Sequence, residues 1–229
     1  SDPDNDDDDD DNNDDNDDDD DNDDDDEEPT IEYEFDSDSS LIYVQVFKDD
    51  STIGAGFAHD HVMRADNYSG AVLYNIDDLS ECSISFTLPV DDLRVDEAGM
   101  RDYVGYGDSL SDGDRAQIRE HMLDSGQLNA GSYSNIRFES SSCTGDGGLI
   151  GTLDVSGVLT VRGTGANVSP EVDVTVYDGK FYAQAKFNVN HASFGMSPYS
   201  AYGGAVHQTG AFNRRRSGGL AAVGSRLRD

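Results

Sequence analysis

The stretch SDGDRAQIREHMLDSGQLNAGSYSNIRFES, residues 111–140, is the part of the sequence that indicates the fold most clearly. Ser111 is a good helix N-cap, and Asp114, three residues on, can reach back to the cap amide. Apolar residues then recur at near-helical spacing as far as Gly126, which is suited to a left-handed helix stop. From residue 135 to 140 the side chains alternate with a period of two, which is typical of a strand. The stretch therefore predicts one short helix followed by a strand, with the helix as a lid on a sheet or barrel.

Alternating apolar residues predict strands along most of the remaining chain. The longest run is 149–161, the run 41–47 fits a barrel wall strand, and Asp178-Gly179 predicts a type I′ turn between two later strands. Counting such runs predicts about eight strands joined by short loops, with one helix among them. Strands do not alternate with helices, so a parallel sheet is excluded. We expect an all-β fold, an antiparallel up-and-down barrel, because closure removes exposed strand edges.

The first 30 residues differ sharply from the rest. Residues 1–28 contain 19 Asp and 2 Glu and no Lys or Arg, within a total net charge of −34. Such a segment has no apolar surface to bury and its charges repel one another, which predicts a disordered tail. A solvated spacer is the favoured role, and loose Ca²⁺ binding by the carboxylates is the alternative.

The tail leaves 31–212 as the barrel domain and 213–229 as a short, basic, flexible C-terminal segment. The strongly acidic balance argues against nucleic acid as a partner. The arginines of the C-terminal segment are instead suited to pairing with the acidic tail.

The start of the chain indicates export, and export bears on how the two cysteines are interpreted. The chain has two cysteines, Cys82 and Cys143, and no C-x-x-C motif. A disulfide between them is expected in an exported protein, and two separate small core or loop residues are the alternative. The chain starts at Ser1 without an apolar signal segment, which we interpret as a mature product whose signal peptide is removed. A lipidated cysteine before Ser1, as in a periplasmic or cell-surface lipoprotein, would suit an acidic membrane tether.

Three short motifs, in order, resemble a known family. They are S-x-x-DR-x-x-I followed by Met-Leu and the strand I-R-F-E-S (111–140), G-x-LT-x-x-G (157–163), and FGMSPYS (194–200). These are similar to segments of the YceI family of secreted lipid-binding proteins, and the resemblance spans roughly residues 41 to 212. It implies an elongated, lipocalin-like barrel with an apolar cavity for an isoprenoid or fatty-acyl chain.

The expected function is therefore an exported, non-catalytic carrier of an apolar chain, with an amphiphilic lipid as its partner. No nucleophile elbow, phosphate loop or zinc-binding cysteine set is present, so no cofactor other than the lipid is expected. Apolar side chains on the predicted strands and helix, with two histidines, are the candidate cavity residues. They are Phe57, His59, His61, Met122, Phe138, Leu153, Val155, Phe187 and Phe194.

The His59-Asp60-His61 sequence carries the alternative function. Residues i and i+2 of a strand share a face, so the two imidazoles could point at one ligand. Such a pair binds Zn²⁺ or Cu²⁺ when a further ligand arrives, and His191 and His207 are the candidates for that place. This arrangement would indicate a metal- or haem-handling periplasmic protein. The pair could equally hydrogen-bond a lipid head group, or be a polar patch at the cavity mouth.

Overall fold

The computed structural model places most of the predicted domain. It describes residues 28–48, 59–197, 199–201, 206–209, 220–222 and 225–227. Phe57, most of the acidic tail and most of the basic C-terminal segment lie outside these residues. Within the described part, no helix combines the length and the apolar character that crossing a membrane requires.

The described residues form fifteen strands and two α-helices. The strands are β1 (Ile31–Phe35), β2 (Tyr43–Lys48), β3 (His61–Ala65), β4 (Ser69–Tyr74), β5 (Ser83–Pro89), β6 (Leu93–Val95), β7 (Asn135–Gly145), β8 (Ile150–Val161), β9 (Thr164–Val168), β10 (Glu171–Tyr177), β11 (Lys180–Ala185), β12 (Ser200–Ala201), β13 (Val206–Thr209), β14 (Leu220–Ala222) and β15 (Ser225–Leu227). The helices are α1 (Ala98–Tyr103) and α2 (Asp112–Leu123). Two 3₁₀ turns add Val90–Asp92 and His191–Phe194.

Ten strands make the larger, antiparallel sheet. Its order is β14-β11-β10-β8-β7-β5-β4-β1-β15, with β9 paired to β8. The short β14 and β15 pair with the two opposite edge strands, β11 and β1, and β15 also contacts β11. The edges of the sheet therefore meet, and the sheet nearly closes into a barrel. This confirms the predicted all-β antiparallel barrel.

A cross-barrel contact shows the closure directly. The ring centroids of Tyr33 on β1 and Phe181 on β11 are 5.5 Å apart. Five strands separate β1 from β11 in the sheet order. Only a sheet curled back on itself can bring these two rings together.

The longest predicted alternation, residues 149–161, becomes β8 and supplies the central wall of the barrel. Leu153, Val155, Leu159 and Val161 are buried while Asp154 and Val158 are exposed. This is the period of two that a strand with one buried face must show. The register against β7 and β10 then brings the buried rows of three strands onto the same face.

A second sheet, which the sequence pattern does not reveal, lies beside the barrel. Its order is β12-β13-β2-β3-β6. We predicted residues 41–47 as a barrel wall strand, but β2 pairs with β3 and β13 instead. Met63 of β3 and Val95 of β6 join the same hydrophobic core as the barrel residues. The smaller sheet thus packs its apolar face against the barrel.

The predicted helix is present, with its predicted cap. The Ser111 side chain accepts a hydrogen bond from the Asp114 amide, and the Asp114 carboxylate accepts one from the Ser111 amide. The predicted stop at Gly126 is wrong, because α2 ends at Leu123 with extended backbone at Asp124. The left-handed residue that follows is Asn129, with φ of 50°. Helix α1, which lies in the Asp- and Gly-rich connection before α2, was not predicted.

Candidate functional site

The barrel interior is lined by two aromatic clusters. In one, the Phe181 ring lies between Tyr33 and Tyr74, with the Tyr74 centroid 5.1 Å away. The Tyr74 hydroxyl donates to the Gly148 carbonyl at 2.8 Å, so its polar atom is satisfied. Burial raises the pKa of both tyrosines.

The second cluster lies on neighbouring strands. Phe86 and Phe138 are directly paired between β5 and β7 and stack with centroids 5.6 Å apart. The Phe35 ring meets Phe86 edge-on at 6.5 Å. Aromatic pairs in these geometries gain about 0.5–1.5 kcal/mol each beyond the area they bury. The two clusters together give the barrel an apolar, aromatic lining.

Most of the predicted cavity residues are buried in the hydrophobic core or packed against it. Leu153 and Val155 have no exposed surface, and Phe138, Met122 and Phe194 are at least nine-tenths buried. Phe187 is partly buried and packs against the core beyond the end of β11. Of the two predicted histidines, His61 is buried and His59 is exposed. Phe57 is not among the described residues.

One end of the barrel is covered by the segment after α2 and by the turn at 191–194. The Arg162 guanidinium, at the tip between β8 and β9, donates to the Ser125 carbonyl at 2.8 Å and to those of Gly126 and Gly195 at 3.4 Å. The side-chain Nε2 of Gln127 donates to the Ser197 carbonyl at 3.0 Å. These bonds join the two covering segments to each other and to the barrel wall.

A disulfide links the end of the β4–β5 connection to strand β7. Cys82 and Cys143 are joined, with Cα atoms 5.8 Å apart. Cys143 faces the core because a β-bulge between Ser140 and Ser142 shifts the alternation of β7 by one residue. Without the bulge, Ser142 and not Cys143 would share the face of Phe138. The pair therefore depends on a backbone irregularity that no sequence pattern announces.

His191, in the covering turn, is partly buried, and its Nδ1 atom is buried without a hydrogen-bond partner among the described residues. Burial lowers the pKa of this imidazole below its ordinary value of 6.5. A lowered pKa means that folding favours the neutral ring. As the pH falls through 6.5, the unfolded chain therefore binds a proton at His191 more readily than the folded chain does.

We expect the stability of the protein to fall between about pH 7.5 and pH 5.5, with His191 as one of the causes. The His191→Gln variant should show a smaller fall in melting temperature over the same range, because glutamine does not titrate. Thermal melting at constant ionic strength measures both curves. Parallel curves for the two proteins would mean that His191 titrates alike in the folded and unfolded states.

A network of ionisable side chains lies beside the barrel, between β3, β6 and α1. The Asp96 carboxylate accepts hydrogen bonds from the His61 ring at Nδ1 (2.6 Å), from the Val62 amide (3.0 Å) and from the Arg101 guanidinium (2.8 Å). The side chains of Asp96 and Arg101 are 0% and 2% exposed. Burial acts to raise the pKa of Asp96, but the bonds from His61, Val62 and Arg101 outweigh it and the pKa is lowered.

The same arginine reaches a second aspartate and, through it, the other histidine. The Arg101 guanidinium donates to the side chain and to the main-chain carbonyl of Asp108, the latter at 2.6 Å. The Asp108 carboxylate lies 3.0 Å from Nδ1 of His59. The bond from Arg101 lowers the pKa of Asp108. His59, Asp108, Arg101, Asp96 and His61 thus form one continuous chain of contacts.

The structure does not bring His191 to this network. Among the described residues, no three His, Cys, Asp or Glu side chains are grouped so that they could hold a metal ion. His207 lies on β13, and its side chain is not among the features that the structure describes. Sequence reasoning selected the two histidines of the network but missed Asp96, Asp108 and Arg101. The sequence contains an Asp and an Arg in a D-x-x-x-x-R spacing at residues 96–101. This spacing becomes informative only when the fold shows that Asp96 and Arg101 are in contact.

The fold and its lining define the class of this protein: a nearly closed, antiparallel, lipocalin-like barrel with an apolar interior. Comparison with known protein families identifies which barrel it is. The YceI-like domain matches residues 33–213, and the chain belongs to that family.

Several solved structures are similar to the chain. Burkholderia cenocepacia BcnA is similar with a TM-score of 0.53 and 15% identity, over 82% of this chain and 99% of that one. A polyisoprenoid-binding domain from Saccharophagus degradans, implicated in plant cell wall breakdown, gives a TM-score of 0.48 and 12% identity, over 73% and 82%. A Campylobacter jejuni YceI protein gives 0.48 and 10%, over 73% and 84%. No curated protein matches the chain.

Proposed function

We propose that this protein is an exported, non-catalytic binder of an apolar chain, an isoprenoid or fatty-acyl lipid held in the barrel. The family to which the chain belongs, and the apolar lining of the barrel, support a ligand of this kind. The proposal gives the barrel a carrier role and assigns it no chemistry, in keeping with a sequence that has no nucleophile elbow or phosphate loop.

The observation that carries the proposal is the composition of the buried face. On the described strands of the larger sheet, every buried side chain is aliphatic or aromatic or belongs to the disulfide. The buried charged residues, Asp96 and Arg101, lie outside those strands. Apart from its tyrosine hydroxyls, the buried face of these strands offers no side-chain hydrogen bonds to a polar ligand, whereas each methylene that it buries gains about 0.8 kcal/mol. Ten methylenes would supply roughly 8 kcal/mol before the cost of association.

Export is supported by two features of the chain. A disulfide such as Cys82–Cys143 persists in oxidising compartments. The acidic segment at residues 1–28 is suited to hold the barrel away from a surface as a solvated spacer. The location that we propose is the periplasm or the cell surface, where a lipidated N-terminus would tether the protein.

A narrowed barrel tests the lipid proposal. Ala183 on β11 is directly paired with the buried Val174, so its side chain shares the core face. We expect Ala183→Phe to weaken the binding of a fluorescent long-chain fatty acid at least tenfold, because the added ring occupies space that the acyl chain needs. Displacement by oleate or by a polyprenol measures the unlabelled ligands in the same assay.

The matched control is Gln184→Phe, which adds the same ring one residue along, on the exposed face of β11. This variant should bind as the parent does, and circular dichroism must show both variants folded. Equal binding by the parent and by folded Ala183→Phe would place the lipid outside the barrel. Native mass spectrometry of protein purified from its own host would then show whether any lipid is bound, and finding none would contradict the proposal.

A further inference from the structure

The network around Arg101 holds two imidazole rings in the orientation that metal ligands adopt. Histidines that bind metals almost always donate one ring N–H to a carboxylate, which fixes the tautomer and leaves the other nitrogen free to coordinate. Nδ1 of His61 lies 2.6 Å from Asp96, and Nδ1 of His59 lies 3.0 Å from Asp108. With the carboxylates ionised, each neutral ring carries its proton on Nδ1 and its lone pair on Nε2.

The two rings are positioned by one rigid centre. The Arg101 guanidinium donates to Asp96 and to Asp108, so both orienting carboxylates are held by the same planar group. It also donates to the carbonyl of Asp60, the residue between the two histidines, at 2.9 Å. In each ring Nε2 lies on the side opposite the bound carboxylate, and the two rings belong to residues two positions apart in the chain.

The charge of the network favours a cation over an anion. With neutral imidazoles, Asp96 and Asp108 carry two negative charges against the single positive charge of Arg101. An anionic lipid head group approaching the histidines would meet net negative charge, whereas a divalent cation would be attracted.

We propose that His59 and His61 bind a divalent transition metal, Zn²⁺ or Cu²⁺, through their Nε2 atoms. Imidazole nitrogen suits both metals. Within the described residues no third side chain joins them, so water completes the coordination sphere and the site is an open one. This inference is independent of lipid binding in the barrel. Asp96, Asp108 and Arg101 are positioning residues in it, because they act on the metal only through the rings.

Titration of the full chain with ZnCl₂ or CuCl₂ tests the site by calorimetry. Millimolar Mg²⁺ is kept present, because it occupies the hard carboxylate oxygens of the acidic segment without competing for imidazole. We expect one tight equivalent in the parent protein and a loss of at least tenfold in affinity for His59→Gln. His59 is half exposed, so this substitution leaves the core intact. The Cu²⁺ electron paramagnetic resonance spectrum should show two equatorial nitrogens in the parent and one in the variant.

A second variant distinguishes metal coordination by the oriented histidines from nonspecific binding of the metal to the protein surface. Asp108→Asn keeps both histidines but removes the charged group that orients His59, and removal of such partners lowers metal affinity 10- to 100-fold. The control is His121→Gln, a histidine on α2 outside the network, which should bind as the parent does. Binding that is unchanged in His59→Gln, or that is lost in His121→Gln, would overturn the proposal, as would no binding by the parent.

Discussion

Replacing both Cys82 and Cys143 by alanine should lower the free energy of unfolding by about 4 kcal/mol. The two residues are 61 positions apart in sequence, so the disulfide closes a long loop in the unfolded chain. Both are at least nine-tenths buried, and the bridge joins the end of the β4–β5 connection to β7. Urea denaturation of the parent and of the double variant, each followed by far-ultraviolet circular dichroism, measures the difference.

Free-thiol titration provides the control for this prediction. The unfolded, unreduced parent should show no thiols, and the reduced parent should show two and unfold near the midpoint of the double variant. A double variant as stable as the oxidised parent would mean that the packing around the bulge of β7 holds the two strands without the bridge. Two thiols in the unreduced parent would contradict the disulfide itself.

Replacing Arg101 by methionine should cost about 3–5 kcal/mol, because it leaves the Asp96 carboxylate buried without its counter-charge. The side chain of Asp96 has no exposed surface, and the residue has a φ of 48°, in the left-handed region. A second change, Asp96→Asn, should restore part of the loss because it removes the orphaned charge. Asparagine tolerates the same backbone conformation.

An exposed ion pair offers the matched control. Arg115 on α2 pairs with Asp112, whose side chain is 94% exposed, and such pairs contribute little. Arg115→Met should therefore change the free energy of unfolding by less than about 1 kcal/mol. Denaturant melts of the four proteins give the comparison, and equal losses in Arg101→Met and Arg115→Met would show that the buried network does not stabilise the fold.

The sequence-based prediction was most accurate where structure is set locally. The cap formed by Ser111 and Asp114 is decided by side chains three residues apart, and the structure contains both of its hydrogen bonds. The Asp178-Gly179 turn has positive φ at both residues, as a type I′ turn requires. The buried row of β8 follows directly from its alternation.

Prediction from the sequence failed where contacts between distant parts of the chain determine the structure. The sheet to which β2 belongs depends on which strand edges are available, and alternation within residues 41–47 carries no information about its partner. Just beyond the stop of α2 at Leu123, the distant Arg162 guanidinium donates hydrogen bonds to the carbonyls of Ser125 and Gly126.

The candidate sites also have features that the local sequence determines and features that only the folded chain determines. The period of two along the strands predicts that the barrel has an apolar lining, because a side chain's face depends only on its position in the alternation. The bulge that turns Cys143 inward, and the meeting of His59 and His61 with Asp96, Asp108 and Arg101, are properties of the folded chain. These residues are 35 or more positions apart between the segments that meet. Their contacts exist only because strand pairing and helix packing place the segments side by side. The tertiary structure therefore determines these contacts.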